Sequence, residues 1–270
     1  MGILNVTPDS FSDGGVYSIG DRMDHRAAIQ WGLDMHQMGA DIIDIGGEST
    51  RPGSSGVDAD IELARIEPVV TALVSEGVVV SVDTSKPEVA SVCLDAGAEI
   101  INDVTALSDP LMAKLCAETD AAVVLMHMMD KPRTMQNDPS YGDVIEDVAT
   151  MLEVCAARAI EAGVERDRIC LDPGIGFGKT FLHNLDLLRG LSRISGADGY
   201  PVLVGPSRKS FLGRILDEAG YSTVPVERDA ATGAAVALAI AQGAFAVRVH
   251  DVSGAIQSAR TADAIVRSWQ

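Results

Sequence analysis

The sequence predicts an α/β fold, a single-domain (β/α)8 TIM barrel with its active site at the C-terminal ends of the strands. Three observations predict it. Short apolar, β-branched runs recur eight times along the 270 residues, each followed by a polar cluster and then, for most, a longer stretch with helical spacing. Most of these runs carry too few polar positions to alternate, as parallel strands covered on both faces require. No linker, low-complexity stretch or shift in composition divides the chain, so residues 1–270 read as one domain.

The elements follow in order. Ile3 to Val6 is the first strand run, and Ala27 to Met38 the first helical pattern, with Gly39 placed where a left-handed residue ends a helix. The run Ile42 to Ile45 leads to a helix over Ile61 to Val74, and Val78 to Val82 leads to one over Pro87 to Leu94. Pro87 suits a first helical turn and Gly97 its far end. The next runs are Ile100 to Ile101 and Val123 to Met126, then a helix over Val144 to Ala162 closed by Gly163, then Ile169 to Leu171 and Val202 to Val204. Around Ala234 to Val247 the chain is mostly alanine and glycine, interrupted by Gln242, and reads as a buried helix too short to span a membrane. Ala246 to Val249 is the eighth strand run, and Ser253 is placed to cap a last helix over Gly254 to Trp269. Eight repeats in roughly 250 residues fit the barrel, whereas a doubly wound open sheet needs fewer strands.

Composition narrows the function. Hydrophobic residues make up 47% and aromatics only 4%, so aliphatics and alanine fill the core. With 21 Lys and Arg against 39 Asp and Glu, the formal net charge is −18. Such a chain repels nucleic acid and anionic membranes, and any anionic ligand needs a local basic site. Cys93, Cys116, Cys155 and Cys170 form no C-x-x-C pair, which leaves reduced thiols of a cytoplasmic protein as the plain reading. No secretory signal pattern is visible at the start.

Nearly every strand run ends in a residue able to do chemistry: Asn5, Asp44, Asp83, Asn102, His127, Asp172, Ser207 with Arg208 and Lys209, and Arg248 with His250. Singly, each suits a turn. Together they are what a barrel rim collects. The stretch Gly174 to Thr180 imitates a nucleotide loop, but the phosphate-binding spacing needs glycine where Pro173 stands.

Eight segments of the chain resemble dihydropteroate synthases in family order. They are Asn5-Val-Thr-Pro-Asp-Ser-Phe-Ser-Asp-Gly-Gly15, Gly46-Gly-Glu-Ser-Thr-Arg-Pro-Gly53, Asp83-Thr-Ser-Lys86, Ile101-Asn-Asp-Val104, Met126-His-Met128, Asp172-Pro-Gly-Ile-Gly-Phe-Gly-Lys179, Ser207-Arg-Lys-Ser-Phe211 and Arg248-Val-His-Asp251. The resemblance implies condensation of (7,8-dihydropterin-6-yl)methyl diphosphate with 4-aminobenzoate to 7,8-dihydropteroate and pyrophosphate, in folate biosynthesis. It also implies Mg2+ on the diphosphate, sulfonamides competing with 4-aminobenzoate, and a homodimer. In the family, residues ahead of the first strand commonly cover the barrel bottom; only Met1 precedes Gly2, so a shorter start is expected.

By this resemblance Asp172 pairs with the amino-pyrimidinone edge of the pterin, where a carboxylate can accept two parallel hydrogen bonds. Asp83 and Asn102 match the residues that read the other ring nitrogens, and Lys209 the donor near the ring carbonyl. Val104, Met126 and Phe177 match its apolar walls, and His127 is taken as structural. Asn5 matches a magnesium ligand, with Arg248 and His250 on the diphosphate. Ser210, opening a helix after Ser207-Arg-Lys, matches the 4-aminobenzoate carboxylate site. Phe11, Thr50, Arg51 and Pro52 match the loops around it, with Asp9 and Asp13 in the first loop; both loops read as lids that close on bound diphosphate. The catalytic set is Asn5, Lys209, Arg248 and His250. The alternatives are a catalytically silent pterin-binding paralogue, a methyltetrahydrofolate methyltransferase-like protein, and a barrel aldolase using Lys209 as a Schiff base.

Overall fold

The computed structural model describes residues 1–7, 18–19, 22–49, 56–129, 135, 138–196 and 199–266. Eight parallel strands carry the architecture: β1 (Gly2–Asn5), β4 (Ile42–Gly46), β5 (Val79–Asp83), β6 (Ile100–Asp103), β7 (Ala122–Met126), β8 (Ile169–Asp172), β9 (Leu203–Val204) and β10 (Ala246–Val247). Two more, β2 (Ser18–Ile19) and β3 (Arg22–Met23), form an antiparallel hairpin between β1 and the first helix. The first six parallel strands make one sheet in the order β1-β4-β5-β6-β7-β8, and β9 pairs with β10. Two isolated bridges, Leu171 with Val202 and Gly2 with Val249, join these sheets at both seams. Backbone bonds from Leu171 N to Pro201 O (2.9 Å) and from Ile3 N to Val249 O (2.9 Å) close the ring, which leaves no edge among the eight.

The helices among the described residues are α1 (His25–Gln37), α2 (Ala59–Ser75), α3 (Pro87–Asp95), α4 (Pro110–Glu118), α5 (Val144–Glu161), α6 (Phe181–Arg189), α7 (Ser210–Glu218), α8 (Asp229–Ala241) and α9 (Val252–Val266). Side chains begin them. Asp24, Asp109 and Asp143 accept first-turn N–H bonds of α1, α4 and α5, and Thr180 with His183 makes a reciprocal box at the start of α6. Pro87 occupies the first turn of α3 as expected, and Gly39, Gly97 and Gly163 take φ of 105°, 100° and 106° after α1, α3 and α5.

Two expectations are corrected. The stretch from Ala234 to Val247 is not one buried helix: α8 stops at Ala241, Gly243 takes φ 93°, and the chain then enters β10. Leu238 on α8 is exposed, because alanine content raised the apparent hydrophobicity of a helix with only one covered face. Ser253 lies inside α9 rather than capping it; Asp251 accepts from Gly254 N at 3.1 Å and serves as the cap.

Ile43, Ile45, Val80, Val82, Ile101, Leu125 and Leu171 are fully buried from the strands, against Ile66, Leu73, Met112 and Leu152 from α2, α4 and α5. Each such side chain contributes about 1.5–3 kcal/mol by leaving water. This shell fixes the strand ends, and with them the rim.

Candidate active site

Strand register brings the chemical residues together before any side chain is considered. Asn5 lies opposite Gly46, Gly46 opposite Asp83, Asp83 opposite Asn102, and Met126 opposite Asp172. Ser207 and Lys209 follow β9, and Arg248 and His250 follow β10. All but Gly46 face a cavity of about 960 Å³ or its narrow deep end of about 60 Å³, and Asp83, Phe177, Lys209, Arg248 and His250 line both. The deep end is walled by Asn102, Val104, Met126 and Asp172, the residues expected to hold a flat ring.

Asp172 is buried, and burial raises its carboxyl above the usual range despite the Gly174 N–H at 2.7 Å and the positive charges of Lys209 and Lys179. Lys209 Nζ donates to Ile175 O at 2.6 Å and stands 3.9 Å from the centre of the Phe177 ring. Burial pulls its ammonium down to about 7, against the opposing pull of Asp172. The glycines of this loop serve neighbouring protein groups. Gly174 has φ 66°, and a Cβ there would lie 1.9 Å from the His127 carbonyl oxygen; at Gly176 a Cβ would lie 2.7 Å from Lys209 Cδ.

Lys179 is a buried group to which the sequence reading gave no role. Its Nζ contacts His127 Nδ1 at 3.0 Å and donates to Phe177 O at 2.9 Å, tying the loop to the end of β7. Burial brings Lys179 down to about 7, and burial beside that amine brings His127 down to about 3, so His127 is neutral and structural.

The anion side is built differently. Arg248 donates from Nε to Asp44 Oδ2 at 2.6 Å and from Nη2 to Asp83 Oδ2 at 2.7 Å. Burial disfavours its charge, but the two carboxylates outweigh that, and its pKa rises above the ordinary value. Asp83 is pushed up to about 7 by burial, which overcomes its pairing with Arg248. Ser207 Oγ accepts the His250 backbone N–H at 3.1 Å and lies 2.9 Å from His250 Nδ1. Ser207 thus ties both the backbone and the imidazole of His250 to the chain that follows β9.

Ser210 opens α7 and lines the cavity, while Lys209 is the N-cap and makes no side-chain cap bond. The N–H groups of Leu212 and Gly213 donate to the Lys209 carbonyl, and those of Ser210 and Phe211, at the cavity wall, are the ones suited to a carboxylate. Arg208, at φ 59°, braces this turn through two 2.8 Å bonds to Asp229 at the start of α8. Asp9, Phe11, Asp13, Thr50, Arg51 and Pro52 lie outside the described residues. At the root of that second loop Glu48 lines the cavity and pairs with Lys86, which also holds buried Glu62 at 2.5 Å. Lys86, Glu62 and Asp44 escaped functional assignment because their partners stand 24 or more residues away, on other elements. A charge inside an otherwise apolar strand, as Asp44 is in Ile42–Gly46, was the available signal.

Comparison with known proteins agrees with this geometry. Residues 1–250 match the family described as pterin binding enzyme. The dihydropteroate synthase of Neisseria meningitidis serogroup C is 44% identical over 272 residues, covering 100% of this chain and 91% of that protein. A solved dihydropteroate synthase of Yersinia pestis with a sulfonamide drug superposes with a TM-score of 0.90 at 41% identity, over 98% of this chain and 92% of that one. The Xanthomonas albilineans enzyme in complex with 7,8-dihydropteroate superposes at 0.85 with 39% identity, over 100% and 94% of the two chains.

Proposed function

The chain belongs to the pterin-binding enzyme family, and from that premise we propose how its residues carry out the dihydropteroate synthase reaction. It is a transferase that joins a dihydropterin methyl group to 4-aminobenzoate and releases pyrophosphate. One observation carries the residue assignment: a buried carboxylate, Asp172, and an anion-holding pair, Arg248 and His250, line the same narrow deep end of the cavity. A ligand that fills it must be flat and polar-edged at one end and anionic at the other.

The pterin edge sits on Asp172, Asn102 and Asp83 between Val104, Met126 and Phe177, with Lys209 donating near the ring carbonyl. Arg248 and His250 take the diphosphate. Asn5 at the end of β1 lines the same cavity, and its amide oxygen is a hard donor suited to Mg2+, with the remaining positions filled by substrate oxygens and water. The ion is delivered with the diphosphate. When bound, the ion offsets charge building on the leaving group. The bond from the methylene carbon to the bridging oxygen breaks with its electron pair leaving on pyrophosphate, stabilised by Arg248 and His250. The arylamine nitrogen, its carboxylate held at the start of α7 by Ser210, then bonds the carbon and loses a proton to water. No protein nucleophile is needed, and neither the silent paralogue nor the methyltransferase reading is favoured by relatives that match the full chain.

The partners are small molecules, with sulfonamides as competitors for the 4-aminobenzoate position. No helix among the described residues is long and apolar enough to cross a membrane. A homodimer is part of the proposal, and exposed Leu238 and Phe245 on and beyond α8 fit a covered surface. The test is pyrophosphate release from the dihydropterin diphosphate with Mg2+, with and without 4-aminobenzoate, while dihydropteroate is followed. Release and dihydropteroate that both require the amine are expected; binding without either product would point to the silent paralogue.

A further inference from the structure

Asp44 is 0% exposed, on β4, and is not a wall of the cavity. Its Oδ2 accepts from Arg248 Nε at 2.6 Å and from Asn102 Nδ2 at 3.1 Å, and its Oδ1 accepts from Ser81 Oγ at 2.6 Å. Arg248 and Asn102 do line the deep end of the cavity, one on the anion side and one on the ring side. We propose that Asp44 is a positioning residue that sets both subsites at once, holding the guanidinium of Arg248 and the amide of Asn102 on a single carboxylate oxygen.

Donors and acceptors fix this role for Asp44, which rests on the functional reading above. An ionised carboxylate only accepts, so the side of Asn102 turned to Asp44 must be its NH2. Its oxygen and second N–H are then the groups left for a ring. Of the guanidinium N–H groups, Nε and one on Nη2 are taken by Asp44 and Asp83, so an anion is offered Nη1 and the remaining Nη2 hydrogen. A phosphate pulling on Arg248 pulls against a buried anchor that also holds Asn102. Ser81 satisfies the other oxygen, so the carboxylate has no reason to rotate.

The test measures two probes separately by calorimetry: inorganic pyrophosphate with Mg2+, and the pterin alcohol that lacks the diphosphate. Asp44→Ala touches neither probe, yet is expected to weaken both by about tenfold or more. Asp44→Asn keeps an oxygen for Arg248 and Asn102 and an NH2 for Ser81. It is expected to restore the pterin alcohol to within about threefold of the unsubstituted protein. A merely structural residue would lower the melting temperature without this split between the two variants. Asp44→Ala affinities unchanged for either probe would overturn the proposal. Should Asp44→Ala fail to fold, Asp44→Asn decides: a loss of about tenfold in pterin alcohol affinity by a folded variant overturns it, and retention supports it. If the unsubstituted protein binds neither probe, the functional reading fails first and takes the inference with it.

Discussion

Half-buried Arg248 on one side of the cavity and half-buried Lys209 with buried Lys179 on the other are held by opposite means. Arg248 has two carboxylates at 2.6 and 2.7 Å, and its charge is held more firmly than in water. Lys209 and Lys179 donate to backbone carbonyls, face Asp172 only through space, and are both pulled down to about 7 by burial. Burial lowers both kinds of cation; carboxylates within hydrogen-bonding distance reverse the shift at Arg248, whose guanidinium also starts from a higher intrinsic pKa than an ammonium. One side of the cavity is a fixed charge suited to phosphate, and the other is a set of donors that exchange protons near neutrality.

The hardest test of this difference removes each cation. Arg248→Met leaves Asp44 and Asp83 buried without their partner and is expected to cost about 3–5 kcal/mol in urea unfolding. Lys209→Met removes a group already close to neutral, so its cost is expected within about 1 kcal/mol. Equal losses would erase the distinction. Next in size, Gly174→Ala drives a methyl group onto the His127 carbonyl at a φ of 66°. A loss of about 3 kcal/mol is expected in the same assay, because neither backbone can yield cheaply.

The lysines also sharpen the comparison through pH. Between about 7 and their ordinary 10.5, the unfolded chain keeps protons that the folded chain has shed, so this contribution to stability rises with pH across that window and is lost as pH falls to 7. The stability of the unsubstituted protein minus that of Lys209→Met should climb by up to about 1.4 kcal/mol per unit above pH 7. A flat difference would mean that Lys209 stays charged. Asp83, raised to about 7, acts oppositely, losing stability as pH rises from 3.8 through 7. The smallest effect expected is that of Thr180→Ala, which removes the cap of α6 at the end of the lysine loop. It should lower stability by about 1 kcal/mol with no change in pyrophosphate affinity.

How much of this was legible in the chain depended on the distance over which each signal acts. Strands built from Ile42 to Ile45 or Val78 to Val82 announce themselves by composition, and all eight lie where the runs stand. Helices α3, α4, α6 and α7, of 9 residues each, have few turns to establish a period; Pro87 and Gly97 bracket α3 and made it legible where the other three were not, and α8 is blurred by alanine. Within the site, Asp172, Lys209, Arg248 and His250 were found because strand ends and motifs mark them. The anchoring of Arg248 by Asp44, 204 residues away, and the tie of Lys179 to His127 are products of barrel closure that no local pattern encodes.

The central claim is that a titrating Lys209 works beside a permanently charged Arg248. It is tested most directly by the pH dependence of kcat/KM for the dihydropterin diphosphate in the unsubstituted enzyme and in Lys209→Arg. The unsubstituted enzyme should lose kcat/KM as pH rises above about 7 and Lys209 sheds its proton. Lys209→Arg, whose guanidinium keeps its charge, should be less active and fall less steeply above pH 7, where Asp83 and Lys179 still titrate. The same alkaline fall in both proteins, or none in either, would contradict the account.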